Sequence, residues 1–384
     1  MKPKSKIHLL MFSVDGGIFK AGSAVVERME HFGTLVEGID IISLQGSGIS
    51  ASPVMLKNNV TAHPATGSVK LVAAMKALRL AKKLAKDNTV IVTQDPFELG
   101  LIGILASWLT RRPRNVQVHI DFFSPYFRQE SLRQRSQAFL VPFVLRGAAS
   151  IRVVSQKIAT YLRDSLEIPA SKIIIAPIFV EVEAVRNVAV TTDLHAKYPH
   201  FDWIVLVACR YVKQKNIPLA IEAFSLFKKI HKNVGLVVAG SGPEGDSLKD
   251  LVVELKMDDS VIIGSWASEF ASLMKTCDCF LMSSDYEGWG MTVIEAAAVG
   301  RPTIMTDVGC ADEFLINEKS GLIVETRDPN AMAEALEKLY SNRAFATNLG
   351  QEAKRQADIY MTREESDQLM VQSWESALGG ATSK

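Results

Sequence analysis

The sequence predicts an α/β protein of two domains, each built on a parallel sheet, and three observations carry that prediction. The chain has 384 residues, whereas a single core usually stops growing near roughly 250–300 residues. Short continuous apolar runs, such as Trp203-Ile204-Val205-Leu206-Val207-Ala208-Cys209, suit strands buried on both faces. Glycine-bearing turns follow several of these runs and lead into helices, which is where α/β proteins hold ligands.

Charge and composition narrow the partners. With 43 Lys and Arg against 42 Asp and Glu, the formal net charge is +1, which gives no global field for nucleic acid. Any anion site is therefore local. The basic start Met-Lys-Pro-Lys-Ser-Lys leads into a short apolar run and then Asp15-Gly16-Gly17, with no small-residue cleavage pattern. No window reaches the roughly 18 apolar residues of a membrane-spanning helix. These features predict a cytoplasmic protein that touches a membrane at most peripherally, at its inner face. Cys209, Cys277, Cys279 and Cys310 lie in or beside apolar segments, with no Cys or His partner at zinc-site spacing, and read as reduced core thiols.

In the N-terminal half, residues 6–13 read as a first strand, followed by Gly16 and Gly17 before a helix starting near residues 21–23. Two glycines at that turn let the backbone approach a ligand. Residues 39–44 form a second strand and 69–86 a helix. In that helix Lys70, Lys76, Arg79, Lys82, Lys83 and Lys86 alternate with Leu71, Met75, Leu78 and Leu84. The result is either a solvated face or a docking surface for anionic lipid or a diphosphate-bearing acceptor. Residues 89–94 are a third strand; Asp95 then serves as a helix cap or lines the ligand site, with Pro96 in the first helical turn. Residues 115–120 are the fourth strand, which delivers His119 to its carboxyl end, where a packed and a functional histidine are both open readings. A helix over 128–146 mixes arginines with Phe139, Leu140 and Phe143 and is kinked at Pro142, a core helix with a charged edge or a second lipid contact. Strands at 150–155 and 172–178 complete the sheet.

Residues 182–201 lose periodicity and read as the crossing between domains, placed at 1–182 and 183–358, with a closing helix in 359–384. The strand 203–209 delivers Arg210 and Lys215 to one edge, with Lys213 as the alternative to Lys215. Strand 235–239 ends in Gly240-Ser241-Gly242-Pro243, and strand 260–266 ends in Gly264-Ser265-Trp266, where Trp266 either stacks on a base or packs in the core. Strand 279–282 feeds Ser284-Asp285-Tyr286-Glu287-Gly288-Trp289-Gly290, and a helix begins at Met291 and Thr292 and carries Glu295 about one turn in. Free amides of Gly290, Met291 and Thr292 at that helix start favour an anion such as phosphate. Carboxylates at Glu287 and Glu295 accept hydrogen bonds from sugar hydroxyls, so the combination suits a nucleotide-sugar. Strands at 302–306 and 321–325 and a helix at 329–340 finish the second sheet.

Glu287 and Glu295, inside Glu-Gly-Trp-Gly-Met-Thr-Val-Ile-Glu, resemble the E-x7-E signature of retaining glycosyltransferases, family 4 in particular. The resemblance covers nearly the whole chain. It implies the GT-B fold, two Rossmann-like domains facing across a cleft, with the final helix packing back on the N-terminal, acceptor-binding domain. Arg210 and Lys215 resemble the family's Arg-x4-Lys, which implies that they hold the donor diphosphate. Preplaced cations there stabilise the charge that grows on the leaving group. The resemblance further implies that Glu287 orients the transferred sugar and Glu295 binds the ribose. His119, in Val118-His119-Ile120-Asp121, is placed near the anomeric centre, Gly16 and Gly17 over the diphosphate, and Gly242 and Gly264 beside the nucleotide. Two departures are visible: Pro177-Ile178-Phe179-Val180-Glu181 lacks the family's Asn and Gly, and Cys310 replaces the second glycine of Val-Gly-Gly. The expected activity is sugar transfer from a nucleoside diphosphate sugar to a hydroxyl acceptor, whether glycan, lipid-linked or small molecule, in cell envelope polysaccharide biosynthesis. No Asp-x-Asp occurs, so no metal and no cofactor beyond the donor is expected. A sugar-nucleotide epimerase of the same fold and an inactive donor-binding subunit are the alternatives.

Overall fold

The computed structural model describes residues 4–46, 52–265 and 270–379. They divide into two compact units. Unit 1 comprises Met1–Phe123, Ser131–Pro177 and Thr362–Lys384, and unit 2 comprises Ser124–Glu130 and Ile178–Met361.

Unit 1 is built on eight strands: β1 (Ser5–Ser13), β2 (Val36–Gln45), β3 (Val54–Met55), β4 (Val60–Thr66), β5 (Thr89–Thr93), β6 (Arg114–Val118), β7 (Ser150–Val153) and β8 (Ile173–Ile175). Their order is β3-β4-β2-β1-β5-β6-β7-β8, and every neighbouring pair is parallel except β3 with β4. The order reverses between β1 and β5, so Gly16 follows one strand of the switch point and Asp95 the other. Helices Lys70–Leu84 and Glu98–Thr110 cover one face through Ala77, Ala81, Leu99 and Ala106. The other face is closed by Ala24–Phe32 and by the final helix Arg363–Gly379, whose Trp374 is fully buried. Asn115 Nδ2 and Ser150 Oγ donate to Ser373 O at 3.0 and 2.7 Å, which fixes that last helix on the sheet.

Strands β3 and β4 are absent from the sequence reading, and the reason is local. β4 carries His63 and Pro64 where an apolar strand is expected. His63 Nε2 lies 2.7 Å from Asp40 Oδ1, and His8 Nε2 lies 2.9 Å from Asp40 Oδ2, so a polar cluster is satisfied inside the sheet.

Unit 2 has six parallel strands: β9 (Trp203–Ala208), β10 (Val234–Ala239), β11 (Val261–Gly264), β12 (Cys279–Met282), β13 (Thr303–Thr306) and β14 (Leu322–Val324), in the order β11-β10-β9-β12-β13-β14. Helices Ile217–Lys228 and Pro329–Ser341 bury Phe224, Phe227, Leu336 and Leu339 in its main core. The order reverses between β9 and β12, so the loops after those two strands share the switch point where α/β sheets bind ligands.

Three local expectations are corrected. The aperiodic stretch 182–201 holds two short helices, Val182–Asn187 and Leu194–Lys197. It packs on unit 2, with Ser272 Oγ accepting from Thr191 N and Thr192 N at 2.9 Å. Too few residues per helix left no readable period. The helix read over 128–146 is two helices, Pro125–Glu130 and Leu132–Arg146, because Ser131 caps the second by accepting from Gln134 N at 3.1 Å. Asp95 is not the cap residue of the helix that starts at Glu98, which is Phe97; its carboxylate folds the preceding turn, accepting from Phe97 N at 2.8 Å, and also draws on the first-turn amide of Leu99. The strand end at Trp266 lies outside the described residues.

Burial pushes the Asp95 carboxyl up to about 6, from an ordinary value of 3.8. Its native pKa exceeds its unfolded one, so ionisation opposes folding: unit 1 loses stability as pH rises from about 4 to about 6. A shift of that size is worth about 3 kcal/mol. Asp95→Asn is expected to flatten that slope and to raise the melting temperature at pH 7. Thermal melts of both proteins between pH 4 and pH 7 check it; parallel profiles would contradict it.

Candidate active site

The loops after β9 and β12 are laced together at the switch point. After β9 the chain runs Arg210-Tyr211-Val212, a short 3-10 turn Lys213–Lys215, and Asn216, which is left-handed at φ +40° and caps the helix Ile217–Lys228. After β12 it runs Ser283-Ser284-Asp285-Tyr286-Glu287, all buried. Asp285 N donates to Gln214 O at 2.9 Å, and Gln214 Nε2 donates to Tyr286 O at 3.0 Å.

The chemistry-bearing side chains follow these backbone links. Lys215 Nζ forms an ion pair with Glu287 Oε1, and both side chains are largely buried. Ser284 Oγ donates to the same oxygen at 2.9 Å, and Gln214 Nε2 donates to Oε2 at 3.3 Å. The Cys209 thiol, pushed up to about 12 by burial, feels the charges of Lys215, Glu287 and Arg210. These three sequence-predicted residues are thus gathered around the end of β9. Arg210 is exposed, and its side chain makes no hydrogen bond or ion pair among the described residues.

The helix Met291–Ala298 follows directly. Its cap position is Gly290, at φ +105°, and no side chain caps it, so the first-turn amides of Met291 and Thr292 take no partner from the described residues. Glu295 is half-buried on this helix, and burial pushes its carboxyl up. Gly242 is pressed on the β9 loop: at φ +154° an added Cβ would lie 2.4 Å from Tyr211 O, so only glycine fits. Gly264 O accepts from the Tyr211 hydroxyl at 2.9 Å, and Val238 O accepts from it at 2.7 Å. Tyr211 therefore ties the ends of β9, β10 and β11, a role its sequence position did not signal. Cys310 sits without strain where a glycine was expected, because the left-handed residues of its turn are Gly309 and Asp312.

The candidates in unit 1 stand as follows. Gly16 and Gly17 open a short 3-10 turn, Gly16–Phe19, and the amide of Gly17 is already taken by Asp15 Oδ1 at 2.8 Å, whereas the amide of Gly16 takes no partner from the described residues. His119 Nε2 lies 3.0 Å from Gln117 Oε1 and Nδ1 lies 3.5 Å from Arg152 Nη1. Burial, with Arg152 and Arg28 nearby, pushes the His119 ring down to about 3. It is a neutral imidazole with both nitrogens engaged, suited to orienting a neighbour and not to shuttling protons.

A second layer of unit 2 was missed in the sequence. Arg327 donates to Asp285 through Nε and Nη2 at 3.1 and 2.7 Å, and Asn216 Nδ2 donates to Asp285 Oδ1 at 2.7 Å. The Arg327 guanidinium stacks 4.1 Å from the centre of the Tyr126 ring, and Tyr286 donates its hydroxyl hydrogen to Glu130. A hollow of about 440 Å³ opens here, lined among others by Tyr126, Lys213, Asn216, Glu244, Asp285 and Arg327, and not by Lys215, Glu287 or Glu295. The one available signal was a second carboxylate, Asp285, two residues before Glu287.

Arg327 holds this clasp from a left-handed backbone, φ +62°. Arg327→Gly would relieve about 1–2 kcal/mol of strain. It would also strip the buried Asp285 carboxylate of its main partner, and orphaning a buried charge costs about 3–5 kcal/mol. A net loss of about 1–4 kcal/mol from unit 2 is therefore expected in urea unfolding, recovered in large part by the double variant with Asp285→Asn. A single variant as stable as the parent would show that strain outweighs the clasp.

Two α/β units, one on a parallel sheet and the other on a sheet parallel but for β3 with β4, have the build of the GT-B class of glycosyltransferases. Residues 192–356 match the family model described as Glycosyl transferases group 1, and residues 40–178 match the Glycosyl transferase 4-like domain. The chain belongs to this glycosyltransferase family. It is 24% identical over 319 residues to the capsular polysaccharide biosynthesis glycosyltransferase CapM of Staphylococcus aureus, covering 78% of this chain and 81% of that one. An uncharacterised glycosyltransferase of Methanocaldococcus jannaschii is 30% identical over 159 residues, 41% of this chain, and the chain spans only 40% of its length. The solved structure of Anabaena HepE in complex with UDP and glucose superposes with a TM-score of 0.75 at 14% identity, covering 96% of this chain and 100% of that one. No helix among the described residues is long and apolar enough to cross a membrane.

Proposed function

We propose that the protein is a retaining, metal-independent glycosyltransferase that moves a sugar from a nucleoside diphosphate sugar to a hydroxyl acceptor in cell envelope polysaccharide assembly. The observation that carries this is the grouping of Arg210, Lys215 and Glu287 around one thiol at the β9/β12 switch point. Two cations after β9 and an uncapped helix start after β12 are each suited to a diphosphate, and the cations supply the charge that a metal would otherwise bring. The Glu287 carboxylate, paired with Lys215, is suited to sugar hydroxyls. Further support comes from HepE, whose complex holds UDP and glucose, and from CapM, which acts in capsule synthesis.

In the proposed reaction the bond between the anomeric carbon and the leaving phosphate oxygen breaks. The acceptor oxygen attacks the same face, and its proton passes to that phosphate oxygen. Arg210, Lys215 and the amides of Met291 and Thr292 take the growing charge. Glu287 orients the sugar and Glu295 the ribose. Gly242 and Gly264 line the nucleotide, while His119, Gly16 and Gly17 keep the donor-side roles implied by the family resemblance.

Thermal-shift screening of UDP-, GDP- and ADP-sugars on the purified protein tests the donor, because a ligand bound only by the folded state raises the melting point. One donor class is expected to raise it, and transfer from that donor is expected to persist in EDTA. Loss of transfer in EDTA, restored by a divalent ion, would refute the metal-independent reading. Turnover of the donor with no acceptor present would favour an epimerase.

A further inference from the structure

Unit 1 carries a surface on which the proposed reaction places no residue. Helices Lys70–Leu84, Glu98–Thr110 and Leu132–Arg146 lie on one face of its sheet: the first two share a core, and Val144 of the third packs on Gly100 of the second. Apolar side chains belong on the inner face of such a layer, yet here large ones stand on the outer face. Trp108 is 80% exposed, Phe139 84%, Leu132 85% and Leu71 70%, with Leu105 and Phe143 more than half exposed. Scattered exposed apolar residues are ordinary, but a group on adjoining helices marks a binding surface.

The charges around them identify the occupant. The helix Lys70–Leu84 holds Lys70, Lys76, Arg79, Lys82 and Lys83 and no acidic residue, and Leu132–Arg146 holds Arg133, Arg135 and Arg146 and no acidic residue. The helix between them contributes one carboxylate, Glu98, which is paired with Arg133 at 2.7 Å. Eight cations against one anion make this layer +7, while the whole chain is +1. A second copy of the same face would be repelled. Aliphatic and aromatic side chains that project between cations match the boundary between acyl chains and anionic headgroups, where the apolar groups insert and the cations stay at headgroup level.

We propose that this three-helix face docks the protein on an anionic lipid bilayer. Trp108, Phe139 and Leu132 enter the interface, and the lysines and arginines of the two flanking helices pair with lipid phosphates. Docking rests on this surface alone and not on the identity of donor or acceptor, so it can fail while the transfer reading stands. It would keep unit 1 against the layer in which an acceptor with a lipid anchor is presented.

Co-sedimentation of the full chain with vesicles tests it. Vesicles of phosphatidylglycerol and phosphatidylcholine in equal parts are expected to bind at least tenfold more tightly than phosphatidylcholine alone, and raising the salt to 0.5 M is expected to reduce that binding severalfold. The double variant Trp108→Ser and Phe139→Ser is expected to lose binding at least tenfold with an unchanged melting temperature, since both rings are exposed. A second variant, Lys76→Glu with Lys83→Glu, is expected to abolish the preference for anionic vesicles. Absence of binding to anionic vesicles, or binding that both variants retain, overturns the proposal. So does a concentration-dependent dimer that Phe139→Ser dissociates, because the face would then be covered by a second chain.

Discussion

Glu287→Gln is expected to lower sugar transfer on the order of a thousandfold while leaving nucleotide binding intact or tighter. The carboxylate has two tasks that the substitution separates. On the proposed reading it accepts hydrogen bonds from the transferred sugar, and the amide keeps the acceptor oxygen near Ser284 but loses the charge that strengthens those bonds as the sugar becomes cationic. In the structure it also neutralises Lys215. Without that partner the ammonium is a better ligand for a diphosphate, so the product nucleotide should be held at least as firmly as before. Glu287→Ala removes the hydrogen bonds too and leaves a largely buried cation unpaired, an arrangement that costs about 3–5 kcal/mol. Both variants leave that cation without its charge partner and should lose stability, the alanine variant more because it keeps no oxygen to accept from Lys215 and Ser284. Transfer rates with a donor found by thermal shift, together with calorimetric nucleotide affinity and melting temperatures for both variants, decide the matter. Transfer at the parental rate in Glu287→Gln would remove Glu287 from the site.

Much of this was legible in the chain because each strand buried on both faces writes a continuous apolar run, and each ligand-side turn writes glycine or charge after it. The run 203–209, the Gly-Ser-Gly-Pro turn and the stretch from Ser284 to Gly290 place themselves in order without any knowledge of tertiary contacts. What stayed hidden depends on residues far apart in sequence. His63 and Pro64 argue against a strand until Asp40, 23 positions away, is seen to hold the histidine ring. Arg327 in a left-handed turn looks like an unfavourable choice until the bidentate bond to Asp285 and the Tyr126 ring are both in view. Tyr211 looks like a loop residue beside Arg210, and only the packing of three strand ends shows why its hydroxyl is buried. The amide of Gly17 was legible as a donor but not as one already engaged, since that depends on the rotamer of Asp15.

Arg210 and Lys215 look equivalent in sequence, two cations five residues apart after one strand, but the structure gives them different energetic positions, and their removal should separate accordingly. Arg210 is exposed and unpaired among the described residues, so its charge is solvated when no ligand is present. Arg210→Ala should leave the melting temperature of the unliganded protein within about 1 °C, because surface substitutions of this kind stay within about 0.5 kcal/mol. Its effect should appear only once charge develops on the leaving diphosphate, as a fall in kcat/KM on the order of a hundredfold. Lys215 is largely buried against Glu287, so Lys215→Met strands a buried carboxylate and should destabilise unit 2 by about 3–5 kcal/mol as well as suppressing transfer. The double variant Lys215→Met with Glu287→Gln removes both charges and should regain most of the stability without regaining activity, which separates the ion pair's structural contribution from its chemical one. Unfolding curves and steady-state kinetics on the three proteins measure each quantity independently. If Arg210→Ala proved as destabilising as Lys215→Met, or if the double variant stayed as unstable as the single one, the assignment of the buried pair to both fold and reaction would fail.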